Sequence, residues 1–192
     1  MKLLEIFKKK ENRRPKNNKV EADEGEDFGE FVKRGKTALE ANVQGLKFLQ
    51  QHEYQAAKDC FVLAIDNGLE NAETFKYCGF CCQKLQYYYE GLNFLNDSIK
   101  LDDSDWEAYY FRITSFNKMN DCRSELIDVL KVIELLNMKG SLSEDEKVIL
   151  SNCTVNVNTL NNLIALDNEH RDIQNIWKKK LEDARNNATK KN

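Results

Sequence analysis

Cys78, Cys81 and Cys82 are the residues whose type and spacing come nearest to a chemical site. A Cys-x-x-Cys-Cys run offers thiolates to a metal or to disulfide exchange, and Cys60 could approach from the preceding helix. A structural zinc site takes four ligands, usually presented by turns or knuckles. Here the surrounding apolar residues recur at helical intervals, so the three thiols share one side of a helix, where it packs on its neighbours. A free Cys in that setting behaves as a small buried hydrophobe. Packing is therefore the expected role.

The other chemical signals are weaker. His52 and His170 lie far apart, and neither has a nucleophile or an acid at motif spacing. Gly35-Lys36-Thr37 has the ending of a phosphate-binding loop, but that loop needs a Gly five residues earlier and a strand before it. Position 30 is Glu30, the nearest Gly is Gly29, and no strand pattern precedes it. Carboxylates are spread over polar helix faces, the usual fate of surface charge. No catalytic residue, metal site or cofactor is expected, so the chain is read as a non-enzyme.

A chain of 192 residues with one Pro, eight Gly and 41% hydrophobic residues fits one mainly helical domain with tails. Charge is unevenly placed. Residues 1–19 carry eight Lys or Arg against two acids and residues 169–192 carry seven against four, so the total of −3 divides into +6, −12 and +3. An acidic body is a poor surface for phosphate backbones, which argues against nucleic acid as partner. The apolar piece Leu3-Leu4-Glu5-Ile6-Phe7 is too short for a secretory signal, and no apolar run approaches a membrane span. Six Cys in such a chain point to reduced thiols and a cytoplasmic location. Residues 1–10 are expected to be a frayed terminus, with contact to a membrane surface as the lesser alternative. Residues 11–27 pass from basic to acidic and read as a polar, disordered linker.

Between Ala41 and Asn137 the sequence repeats with a period of 34 residues. Tyr54, Ala57, Phe61 and Ala64 become Tyr88, Gly91, Leu95 and Ser98, then Cys122, Glu125, Val129 and Val132. Ala41, Gly45 and Phe48 become Phe75, Gly79 and Cys82, then Tyr109, Ile113 and Phe116. Each unit reads as an amphipathic helix, a polar turn and a second amphipathic helix. Small residues stand where the two helices would cross, and large ones where a knob must fill a hole.

This pattern resembles the tetratricopeptide repeat (TPR) family, most clearly in GLKFLQQHEYQAAKDCFVLAI, which carries the family's small-residue, aromatic and Ala spacing. The match covers about half the chain. Leu69 and Asp103 replace the Pro that usually closes a unit, and the third unit has Glu125 and Ile113 where small residues are usual. The resemblance implies an all-α, right-handed superhelix of three repeats, about 41–71, 72–105 and 106–137, within a 28–137 body whose first helix is extended. A capping region follows at 138–186, either two helices or a divergent fourth unit, with a loose tail at 187–192. Ser143 and Glu146 form a capping-box signature for the first capping helix, and Ile173, Ile176, Trp177 and Leu181 share a face of the last, at about 169–185.

The resemblance also implies where a partner would bind. The first helix of each unit lines the concave groove, which here presents Asn42, Val43, Leu46 and Leu49, then Lys76, Tyr77, Phe80 and Lys84, then Tyr110, Phe111, Thr114 and Lys118. Tyr77, Phe80, Tyr110 and Phe111 are expected as exposed anchors, with the Lys steering an acidic peptide. Alternatively, the groove is filled by the chain's own N-terminal segment or last helix. Family members that clamp a partner's terminal carboxylate use Lys, Asn and Arg. Asn42, Leu46, Tyr77, Glu107 and Phe111 stand at those positions here, which is no basic clamp. The expected function is a non-catalytic protein–protein interaction scaffold. A small secretion-type chaperone, or a regulatory subunit docked on an enzyme or membrane complex, is the alternative.

The thiol reading yields a direct expectation. Purified native protein should carry no stoichiometric zinc by elemental analysis, and chelators should leave it folded. About one metal per chain, lost in Cys81→Ser, would contradict the packing assignment.

Overall fold

A computed structural model describes residues 27–189, with side chains to residue 180. The readings made for residues 1–26, for the Leu181 side chain and for the last residues of the tail lie outside it. The described chain forms seven helices and no strand: α1 (Phe28–Gln50), α2 (Tyr54–Asp66), α3 (Ala72–Lys84), α4 (Tyr88–Leu101), α5 (Trp106–Lys118), α6 (Cys122–Asn137) and α7 (Glu144–Thr189). Consecutive helices pack as antiparallel pairs, α1 with α2, α3 with α4 and α5 with α6, and α3 also touches α5 across the inner side. α1 is one continuous helix from Phe28, and Gly35, Lys36 and Thr37 lie inside it rather than in a loop.

The period seen in the residue types recurs in the backbone. His52, Gln86 and Asn120, spaced 34 apart, have φ of 63°, 66° and 56°. Each follows a first helix and closes it. In unit one the N–H of Glu53 returns to Phe48 O at 2.9 Å, and the Tyr87–Cys82 and Asp121–Phe116 bonds repeat this at 2.8 and 2.9 Å. That return bond needs one left-handed residue, most often Gly. Here the strain is borne by polar side chains, which adopt this conformation less readily.

The small residues do what their positions suggest. A Cβ on Gly79 would stand 2.6 Å from Leu95 Cγ and 3.1 Å from the carbonyl oxygen of Gly91, so α3 and α4 meet backbone to backbone. A Cβ on Gly45 would stand 2.8 Å from the Phe61 ring, so that ring packs directly on the α1 backbone. Leu49, Ala57, Phe61, Cys78, Cys81 and Leu95 form the core of the first two units. Leu69, where the family has Pro, is fully buried against Ala38, Ala41 and Ala64. In the third unit Glu125 is buried, and its carboxylate accepts from the amides of Asn117 and of Asn156 on α7, so the large residue is accommodated by polar partners.

The capping region differs from the expected pair of helices. α7 is a single helix of 46 residues. Its start is the anticipated capping box, with Ser143 N donating to Glu146 at 2.9 Å and Glu146 N to Ser143 Oγ at 3.3 Å. Asn and β-branched residues at 152–162 lower helix propensity by only tenths of a kcal/mol each. Packing of Ile149, Cys153 and Leu160 on Val129, Val132 and Leu136 of α6 outweighs that deficit.

Gly79→Ala should therefore lower stability by about 1–2 kcal/mol in urea titration, although Ala is the better helix former. Gly140→Ala, where a Cβ meets nothing within 4 Å, should stay within about 0.5 kcal/mol of wild type. Equal behaviour of the two would contradict the close crossing.

Candidate functional site: the inner face

α1, α3 and α5 present the inner face, and the aromatic residues of α3 and α5, with Tyr54 and Phe61 of α2, form two runs of ring contacts. Phe61 and Tyr77 have ring centres 5.9 Å apart, Tyr54 and Phe80 6.2 Å, Phe80 and Phe111 4.8 Å, and Tyr110 lies 6.5 Å from Phe111 and 6.2 Å from Trp106. Phe80, Phe111 and Tyr110 adjoin as the sequence expectation has it, but Tyr77 stacks on Phe61 of α2 instead, and the expected exposure is not found. Tyr77, Phe80 and Phe111 keep only 4%, 5% and 4% of their surface, and Tyr110 is half-buried. These rings are part of the core as well as part of the inner wall. Truncating Phe80 and Phe111 together therefore removes packing of about 3–5 kcal/mol each, and such a variant reports on stability before it reports on binding.

Lys76 is the second departure. It was expected at the groove surface, but it is 2% exposed, and its Nζ donates to Glu107 at 2.9 Å and also to Asp105. Burial pushes its pKa down, but Glu107 and Asp105 outweigh that and hold it above the ordinary lysine value. The ammonium thus stays charged across the physiological range, with its charge matched inside the fold. Sequence spacing did not reveal this pair, because the acids stand 29 and 31 residues away, at the start of α5. The signal that was available is Asp105, whose side chain caps α5 by accepting from Glu107 N at 3.1 Å and so fixes both acids opposite α3.

Gln83 makes the same connection lower on α3, donating to Ser115 Oγ at 2.8 Å and to the carbonyl oxygen of Phe111. Tyr77 donates its hydroxyl to Glu73 at 2.9 Å. Burial raises the pKa of this phenol, so it remains a donor. Asn42 accepts from Thr74 Oγ1 at 3.1 Å, joining α1 to α3, and Leu46 packs half-buried on the inner-face rings. Lys84, Thr114 and Lys118 are exposed, with Lys84 Nζ 5.0 Å from the Phe80 ring centre. The cationic part of the face is carried by Lys84 and Lys118.

The thiols lie behind these rings. Cys78, Cys81 and Cys82 are fully buried. Its hydrogen bond with Cys82, then burial, raise the Cys78 pKa, and burial raises that of Cys81. Cys153 on α7 is pushed up to about 11 by burial. Thiols held protonated are weak nucleophiles and weak metal ligands. Among the described residues, no group of three or more His, Cys, Asp or Glu is placed to hold a metal ion.

No protein-family model and no curated protein matches the chain. Solved structures do. The first TPR of Spaghetti (RPAP3), bound to the HSP90 peptide SRMEEVD, is 19% identical with a TM-score of 0.56, over 68% of this chain and 94% of that one. PcrH in complex with the chaperone-binding region of PopD gives 13% and 0.58, over 66% and 92%. The TPR2B domain of yeast Sti1 in an Hsp70 complex gives 17% and 0.54, over 62% and 98%. With the helix pairs, the recurrent turns and this likeness together, the chain has the tetratricopeptide-repeat fold: an all-α superhelix of three units closed by a C-terminal helix.

The ion pair sets a testable difference between two lysines. Lys76→Met should cost about 3–5 kcal/mol in denaturant, because it strands buried carboxylates without their cation. Lys84→Met should cost within about 0.5 kcal/mol. An unchanged midpoint for Lys76→Met would show that the pair is not structural.

Proposed function

We propose that this protein is a non-catalytic interaction scaffold that binds a peptide or helix of a partner protein along the concave face. The observation that carries the reading is the inner wall itself. A pinned run of rings, Phe80, Phe111 and half-buried Tyr110, joins α3 to α5, beside exposed Thr114, Lys84 and Lys118. Such a surface offers an apolar seat with cations at its edge and holds it rigidly, so little ordering entropy is lost on binding. Likeness to TPR domains solved with peptides supports a peptide as the kind of ligand.

The expected ligand is an internal apolar segment with acidic flanks rather than a chain terminus. Terminal carboxylates need convergent cations, and Leu46, Tyr77, Glu107 and Phe111 occupy the positions that would supply them. Lys84 and Lys118 would act mainly on the association rate and its salt dependence. A second reading, a secretion-type chaperone that cradles the segment of a client, rests on the likeness to PcrH, which was solved with the chaperone-binding region of PopD. It uses the same face.

A photo-crosslinking residue in place of Thr114 should trap a defined partner in native extract, and one in place of Leu63 on α2 should trap none. Lys84→Glu with Lys118→Glu should reduce that capture about tenfold at low salt with an unchanged melting temperature. Adducts from Leu63 and none from Thr114 would move binding to the outer face.

A further inference from the structure

Among the described residues only one end of the array is closed. Repeat arrays need both ends capped, because a terminal unit otherwise exposes the side that would stack on a neighbour. Beyond the third unit that side is covered by Ile149, Cys153 and Leu160 of α7. The side of the first unit can be read from the period. Thr74, Tyr77, Cys78 and Cys81 of α3, and Ala108, Phe111 and Ser115 of α5, are all buried. Tyr77 rests there on Phe61, and Phe111 on Phe80, each a ring of the preceding unit. One period before the α3 set stand Glu40, Val43, Gln44 and Lys47 of α1, and all four are exposed. With Leu39 they line a shallow groove. α1 is also longer than its counterparts. α3 and α5 start at Ala72 and Trp106, one period before which falls Ala38, yet α1 starts at Phe28. The added turns carry the apolar stripe on: Phe28, Val32, Leu39 and Val43 are 78%, 50%, 44% and 52% exposed.

We infer that the chain's own Leu3-Leu4-Glu5-Ile6-Phe7 docks on this face and supplies the missing layer against Val32, Leu39 and Val43. Composition, reach and area select that occupant. Among residues 1–27 the large apolar side chains gather in this piece, with Met1 and Val20 the only others. A coil as long as the 20 residues between Phe7 and Phe28 has a root-mean-square span of roughly 25 Å. Val43 stands 15 residues along α1 from Phe28, or ~22 Å. Effective concentration is highest when linker and span match in this way. One helix face with four apolar side chains falls short of the roughly 800 Å² per partner that a stable complex of separate molecules buries. A tethered segment needs less, because the tether itself supplies a concentration in the millimolar range. Charge acts in the same direction: residues 1–19 carry +6 in a chain of −3, so the rest, at −9, attracts them. The face is distinct from the one assigned above to a partner, at Lys84, Thr114 and Lys118, so the two readings stand or fall separately.

Photo-crosslinking within the full chain tests this. A photoreactive residue in place of Val43 should form adducts with residues 3–7, and one in place of Thr114 should form none with them. In a mixture of heavy- and light-isotope chains the adducts should join heavy to heavy and light to light. Ile6→Asp with Phe7→Asp, which alters nothing in the repeats, should abolish the Val43 adducts. It should also let the amides of residues 28–37 exchange about tenfold faster, while those of α3 and α5 keep their rates. Val43 adducts elsewhere, or none at all, would overturn the proposal, as would unchanged exchange at 28–37 in the double variant. Heavy-to-light adducts would give the face to a second copy instead. Adducts between residues 3–7 and position 114 would move the segment to the concave groove.

Discussion

The structure turns on a buried lysine. Lys76 leaves water almost completely, and it does so because Asp105 and Glu107 await it at the start of the next unit. An isolated buried ammonium would cost several kcal/mol. Paired, it ties α3 to α5 at one height, and Gln83 ties them again about two turns further on, through Phe111 O and Ser115. Arg112 does the same work behind the inner face, donating to Asp128 at 2.7 and 2.6 Å and to Asn96 at 2.6 Å, which joins the second and third units. Repeat arrays rely on contacts between neighbours alone. Polar ties of this geometry fix the relative rotation of two units more tightly than apolar contact can, and they hold the aromatic rings in register.

That constraint explains why the inner wall is both core and candidate binding surface. Phe80 and Phe111 contact each other because their helices are held together by the ties on either side. Their rings are then unavailable as loose anchors, and the proposed function assigns recognition to the exposed edge at Tyr110, Thr114, Lys84 and Lys118. On that proposal a partner meets a surface already ordered, and specificity is left to the few exposed groups at the rim.

Much of this was legible in the residues. The 34-residue period, Gly79 opposite Gly91, the capping box at Ser143 and the burial of the Cys cluster all follow from side-chain size and helical spacing, which sequence carries directly. The fate of Lys76 was not legible, because charge on a helix normally faces solvent and its partners lie in another unit. The exposure of the rings was misjudged for a related reason: helical periodicity tells which side of a helix a ring occupies, but not how closely the next helix approaches it. The unity of α7 was hidden by Asn152–Asn162, where weak local propensity suggested a break and packing on α6 removed it. Glu125 looked like a fault in the third unit until Asn156, 31 residues on, supplied its amide.

Native-state hydrogen exchange over a denaturant series tests the central claim, that the junction of the second and third units is the rigid platform on which the inner face is built. The account predicts that amides of α3 and α5 around Phe80 and Phe111 exchange only through global unfolding, with one shared, strongly denaturant-dependent free energy. Exchange of those amides by local opening, independent of denaturant, would contradict it.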